Sequence, residues 1–295
     1  MSSWKVGAVD VTGGDNGALM IDSGTSGLAD KHASIATART APESMHAPFL
    51  IIETGQPTPK LRRLGSYSHW IRVAAGLRRE QAVVYRVAEG EALPQRDGFA
   101  GAMVTGSGAM VTDRLDWSER AAKWLGESAR AGFPLFGICY GHQLIAHALG
   151  GTVEYNPRGR EMGTLPIERM DVAHADPLFG AHPQHFIAHV THRQSVTKLP
   201  DGAVRLARSD MDEHHAYRYG DSVWGVQFHP EFSTVMMRGY IDARREALAQ
   251  EGANGNAIHA AVRATPLARG VLRRFVRHAR RLHDGRTHAG RERKK

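Results

Sequence analysis

The chain has 295 residues, 42% of them apolar and 23% charged, with a formal net charge of +8 and a single cysteine. That length and composition allow a sizeable buried core in one large domain or two small ones. One cysteine excludes an internal disulfide and an all-thiolate metal cage, and no apolar run is long enough to span a bilayer, so a reducing, cytoplasmic setting without membrane partners is expected. The charge is concentrated at one end. Residues 263 to 295 hold twelve Arg or Lys against Asp284 and Glu292, which leaves 26 basic and 28 acidic residues elsewhere. The basic character therefore belongs to a tail, and it argues against nucleic acid as the main partner.

Residues 1–46, rich in Gly, Ser, Ala and Thr ("DVTGGDNGALMIDSGTSGLAD"), have no period of 2 or 3.6 and are expected to be a disordered extension. Met45, just before the first strand pattern, reads as an alternative start. From Phe49 the pattern becomes regular: "FLIIETG" as a buried strand, "LRRLGSYSHWIRVAAG" as a helix, "AVVYRVAEG" and "GFAGAMVTGS" as strands. Next come "DWSERAAKWLGESARAG", a helix with Asp116 as its expected cap, and the strand "PLFGIC". Short apolar strands alternating with helices predict a doubly wound, flavodoxin-like α/β domain over residues 47–252, with a mostly parallel sheet covered on both faces.

After Gly150 the segments "GTVEYN", "GTLPIERM", "HFIAHVTH", "VRLARS" and "HHAYRYGDSVWGVQF" predict added antiparallel strands, the last folding back at Gly220-Asp221. "TVMMRGYIDARREALAQEG" returns to helix. Residues 253–295 form the basic C-terminal segment. There Thr265 and Pro266 are expected to start a helix that packs Leu267, Val271, Phe275 and Val276 on one side.

The lone cysteine sits in "FPLFGICYGHQL", where Gly137-Ile138-Cys139-Tyr140-Gly141 has the form of a nucleophile elbow at a strand-to-helix turn. The helix start there favours thiolate over thiol. Ninety residues on, "VWGVQFHPEFS" supplies His229 as a general base and acid and Glu231 as a carboxylate able to orient it. The histidines 182, 185, 189 and 192 recur at short spacing. His185 and His189 share a strand face and read as a solvated face, so no metal site is expected.

Elbow "GICYGHQ", downstream "GVQFHPE" and intervening "GREMG" together resemble the glutaminase module of class I (triad) glutamine amidotransferases, closest to GMP synthase-like domains and stand-alone relatives. The resemblance covers roughly residues 48 to 245. It implies a Cys139–His229–Glu231 triad that opens the side-chain amide of glutamine through a thioester, without a cofactor. The oxyanion donors it implies are the backbone N–H of Tyr140 and the turn at Gly106 and Ser107, where "TGSG" replaces the family's Gly-Gly-Pro. Gln143 matches a position contacting the amino-acid end of the substrate, and "THRQSV" places Arg193 and Gln194 along it, with Gln194 where an acid is common.

No acceptor-activating domain is recognisable in the sequence, so a separate synthetase accepting ammonia is expected. A stand-alone γ-glutamyl peptidase or hydrolase with the same triad is the alternative. Relatives with protease or chaperone activity carry histidine directly after the cysteine, and Tyr140 argues against them.

Overall fold

The structure, a computed structural model, describes residues 46–292. The extension expected over residues 1–46 and the start proposed at Met45 lie outside the described residues, apart from His46. A nine-stranded sheet runs in the order β2-β1-β3-β4-β11-β10-β9-β6-β7. Its first half is parallel: β1 (Phe49–Glu53) between β2 (Ala82–Arg86) and β3 (Gly101–Val104), then β4 (Leu135–Ile138) and β11 (Val223–Val226). The second half is antiparallel: β10 (Ala216–Tyr219), β9 (Ala203–Arg208), β6 (Glu161–Arg169) and β7 (His185–His192). A separate ribbon pairs β5 (Thr152–Tyr155) with β8 (Gln194–Lys198). The expected change from parallel to antiparallel strands after Gly150 is present, and the hairpin at Gly220-Asp221 joins β10 to β11.

Both faces of the sheet are covered. On one face Phe49, Ile51, Met103, Phe136 and Trp224 pack with α1 (Tyr67–Ala75) and α7 (Pro266–Glu292). On the other, Leu50, Ala102 and Leu135 pack with α2 (Asp116–Arg130) and α3 (Tyr140–Ala148). A strand buried on both faces has no polar side to alternate with, which is why β1 reads FLII without a period of two.

Several boundaries differ from the sequence pattern. The helix expected from Leu61 divides into a 3-10 turn (Pro59–Leu64) and α1, because Ser66 caps α1 by accepting from the backbone N–H of His69. Asp116 is the first residue of α2 rather than its cap; Leu115 holds the cap position, where no side-chain bond is made. The helix expected over residues 234–252 breaks at Arg244 into α4 (Thr234–Ala243) and α5 (Arg245–Gln250). The glycine-containing "EGANGN" ends at a further short helix, α6 (Gly255–Ala260), capped by Asn254.

In α7, Val271, Phe275 and Val276 are buried as expected, and Phe275 packs edge-on to Phe49 at a centroid distance of 6.2 Å. Leu267 is 43% exposed. It sits in the first turn of α7, off the stripe formed by Ala268, Val271, Leu272 and Phe275.

Phe275→Ala is expected to cost about 3–5 kcal/mol in denaturant unfolding, as for other large core deletions. Leu267→Ala should change stability by less than about 0.5 kcal/mol, as at other exposed sites.

Candidate active site

Cys139 follows β4 and directly precedes α3, with φ 50° and ψ −99°, one of two non-glycine residues with positive φ among the described residues. Such a conformation is costly for a residue with a Cβ and persists only when its surroundings enforce it. Here they do: the Cys139 N–H donates to the Val226 carbonyl at 2.8 Å, and the Gly141 N–H to Thr105 at 3.2 Å. Gly137 admits no side chain, because a Cβ there would lie 2.5 Å from the Gly141 backbone. The elbow thus fixes the thiol at the carboxyl end of the parallel half, at the amino end of α3. The Tyr140 N–H heads that helix, and no acceptor is placed against it among the described residues.

β11 lies beside β4 in register, Gly137 with Gly225 and Ile138 with Val226, so the segment after β11 passes in front of the elbow. His229 is buried there; its Nδ1 lies 2.8 Å from Glu231 Oε1, and its Nε2 has no hydrogen-bond partner. Burial alone would push the His229 pKa down, yet the charges of Glu231 and Cys139 raise it to about 10. For Cys139, burial raises the thiol pKa and the positive charge of His229, with that of His192, more than offsets this, so the net shift is downward. Each charge favours the other, so both shifts run toward the thiolate–imidazolium form.

Gly106 sits between the two reactive side chains: a Cβ on it would lie 3.2 Å from His229 Cε1 and 3.8 Å from Cys139 Cβ. The neighbouring Ser107 departs from the family's glycine, and the structure accommodates it. Its hydroxyl donates to the Thr54 carbonyl at 2.7 Å and accepts from the Ala109 N–H at 3.1 Å, holding the turn in place. The space comes from Gly55 opposite, where any Cβ would approach Ser107 Oγ to 2.9 Å.

A cavity of about 310 Å³ opens on Cys139 and is lined by Ser107, Tyr140, Gln143, His192, Arg193 and Gln194 among others. The residues expected at the substrate are therefore gathered around one space. Gln143 is nearly inaccessible, and its amide nitrogen donates to the Gln194 carbonyl at 2.7 Å and to Gln227 Oε1 at 2.9 Å. The Gln194 side chain is also engaged, accepting from the Val111 N–H at 3.1 Å and donating to Thr112 Oγ1 at 2.6 Å. It fixes the turn above the cavity rather than standing free for substrate. Arg193 stacks on Tyr155, 5.2 Å from the ring centroid.

The reading of the histidine string as a solvated face is corrected. Only His185 is exposed; His182, His189 and His192 are buried. His192 Nε2 lies 2.8 Å from Glu161 Oε2 and its Nδ1 lies 2.9 Å from the Gln194 carbonyl. Both partners are acceptors, so the ring donates from both nitrogens and is an imidazolium. Glu161 also accepts from His215 Nε2 at 3.2 Å and from Ser209 Oγ at 2.7 Å. Burial raises the Glu161 pKa, but bonds to the two histidines pull it well below the usual carboxylate range. Asp212 completes the buried group, with its ligating atom and those of Glu161, His192 and His215 all within 4.8 Å of one another. In the sequence Glu161 stands out only as part of "GREMG"; that it meets His192 follows from β6 pairing with β7, Glu161 opposite His192. Arg160, which belongs to the same "GREMG", and Arg244, which carried no sequence signal, also line the cavity.

This geometry sits in an α/β scaffold with its reactive groups at the ends of parallel strands. The family model "Glutamine amidotransferase class-I" matches residues 64–241, and the chain belongs to that family. It is 32% identical over 185 residues to the glutamine-hydrolyzing GMP synthase subunit of Archaeoglobus fulgidus, covering 60% of this chain and 93% of that one. It is 27% identical over 197 residues to gamma-glutamyl peptidase 5 of Arabidopsis thaliana, covering 65% and 78%. Other GMP synthases are matched over as little as 18% of their own length, as in Thermosipho africanus, and the corresponding synthase subunit of Methanopyrus kandleri over 51%. Among solved structures, a glutamine amidotransferase from Thermotoga maritima superposes with a TM-score of 0.64 at 20% identity, over 79% of this chain and 99% of that one. The chain thus has the α/β fold of that structure, and it spans between about a fifth and a half of the length of several of the GMP synthases it matches. Among the described residues no helix is long and apolar enough to cross a membrane.

Two outcomes follow from the site's electrostatics. Because His229 favours the thiolate, iodoacetamide should alkylate Cys139 with a pH midpoint below the ~8.5 of an ordinary cysteine, and His229→Gln should move that midpoint upward. Glu161→Ala strands a buried imidazolium and is expected to lower unfolding stability by about 3–5 kcal/mol; chemical denaturation measures it.

Proposed function

We propose that this chain is a cysteine-dependent amidase that cleaves γ-glutamyl amides, glutamine being the simplest, through a Cys139–His229–Glu231 triad. The observation that carries the reading is His229 itself, bonded to Glu231 through Nδ1 at 2.8 Å while its Nε2 is left without a partner beside Cys139. Glu231 fixes the tautomer and ring orientation, and Nε2 is free to pass a proton to the leaving nitrogen.

In the first half-reaction Cys139 Sγ attacks the amide carbonyl carbon. The oxyanion is met by the Tyr140 N–H and by the turn at Gly106 and Ser107. The C–N bond then breaks as the nitrogen takes the proton of His229, leaving a γ-glutamyl thioester. In the second half-reaction His229 deprotonates water, which displaces sulfur and releases glutamate. The enzyme needs no cofactor for these steps.

With glutamine as donor the nitrogen leaves as ammonia. The likeness to the separate glutamine-hydrolyzing subunits of GMP synthases supports delivery to a separate synthetase polypeptide. The second reading, a γ-glutamyl peptidase, is supported by the likeness to gamma-glutamyl peptidase 5 and by the positive charge around the cavity.

Glutamate release from glutamine and from γ-glutamyl amides tests the activity directly. Cys139→Ala should abolish it, and Glu231→Gln should be roughly a hundredfold less severe, as for the orienting acid of other triads. A diazo-ketone analogue of glutamine should add one label, at Cys139, by intact-protein mass spectrometry. Full activity in Cys139→Ala would refute the mechanism.

A further inference from the structure

The cavity before Cys139 is lined by Arg160, Arg193 and Arg244 and by no Asp or Glu. The three guanidiniums are not equivalent. Arg160 is neutralised by a two-point bond to Glu251 at 2.8 and 2.9 Å. Arg193 and Arg244 form no salt bridge among the described residues. Each is held by an aromatic face instead, Arg193 over Tyr155 and Arg244 over Tyr240 at 4.8 Å from the centroid. Stacking of this kind immobilises a guanidinium while leaving its N–H edge available for an anion.

Arg244 carries the stronger signal. Its Nη1 is buried and has no hydrogen-bond partner, an arrangement that ordinarily needs an acceptor to complete it. Its place at the break between α4 and α5 brings it to the cavity, close enough for the charge of Cys139 to act on it. The cavity offers a cation no carboxylate, and the unpartnered oxygen in its lining, Thr191 Oγ1, is a neutral hydroxyl. The one side-chain oxygen at the position where an acid is common, Gln194 Oε1, is taken by the Val111 N–H.

Free glutamine brings one carboxylate and one ammonium to this space. A γ-glutamyl amino acid brings a carboxylate on each side of the scissile bond and is anionic overall. We infer that the preferred acyl donor is a γ-glutamyl amide whose leaving amine is an amino acid or short peptide, with Arg193 holding the glutamyl carboxylate and Arg244 the carboxylate of the leaving amine. The inference rests on the acyl-transfer reading of Cys139 given above. The chemistry balances as before: the scissile C–N bond is replaced by C–S, His229 protonates the departing amine, and water then releases glutamate. Charged side chains facing Cys139 are His229 and Glu231 from the segment after β11, His192 from β7 and Arg244; the one acid among them, Glu231, bonds His229 through Oε1 and is not part of the cavity lining.

The test compares kcat/KM of the full chain for γ-glutamylglycine, γ-glutamylglycinamide and glutamine. These differ in the second carboxylate while sharing the glutamyl group. A preference of roughly tenfold or more for γ-glutamylglycine over the other two is expected for one well-placed charge-assisted contact. Arg244→Gln should bring the ratio between γ-glutamylglycine and its amide close to one, and Arg244→Lys should restore part of it; a merely structural role for Arg244 would leave that ratio in place. Equal or better use of glutamine or of the glycinamide by the unaltered chain overturns the inference and leaves the amidase standing. No turnover of any of the three, together with no labelling of Cys139 by the diazo-ketone analogue, removes the amidase and the inference with it.

Discussion

Everything at the candidate active site depends on one backbone conformation, the positive φ of Cys139 between β4 and α3. A β-substituted residue does not rest there unaided. The parallel pairing of β4 with β11 supplies the acceptor for its N–H, and two glycines remove the side chains that would collide at the turn. The same pairing carries His229 past the sulfur. Cys139 and His229 are brought together by a single strand register, so the constraint that strains the backbone is also the one that assembles the proposed pair.

The antiparallel half of the sheet has a different task. It builds the far wall of the cavity, and its anchor is ionic: Glu161 on β6 gathers His192, His215 and Ser209 into one buried network. A buried ion pair is a poor source of stability. What it supplies here is a fixed positive ring near Cys139 and a fixed position for the Gln194 carbonyl, which in turn holds Gln143. The wall is therefore polar in composition yet rigid.

The parallel half, the elbow and the segment after β11 were legible in the sequence because their signals are local: apolar runs bounded by glycines, and a Gly-x-Cys-x-Gly turn. The Glu161–His192 contact was not, since it depends on the register of β6 against β7 and joins residues thirty-one apart. The histidine string was misread for the same reason. Spacing alone cannot say which face of β7 is covered, and residues on both are buried, Phe186, Ala188 and Val190 on one and His189 and Thr191 on the other. Ser107 looked like a departure from the family turn, and only the structure reveals its complement, the bare Gly55 that admits its hydroxyl. Arg244 had no pattern to betray it, because the break between α4 and α5 that aims it at the cavity carries neither Gly nor Pro.

Phe275 of α7 packs against Phe49 of β1 and Phe136 of β4, so among the described residues the last helix closes the core begun by the first strand. Contacts so distant along the polypeptide are slow to form, and the uncovered sheet is sticky while they are pending. During synthesis the apolar underside of β1, β3 and β4 is covered only in part, by α1, until α7 has left the ribosome. Until then the rings of Phe49 and Phe136 lack their cover, and a truncation ahead of Phe275 would leave that apolar surface bare.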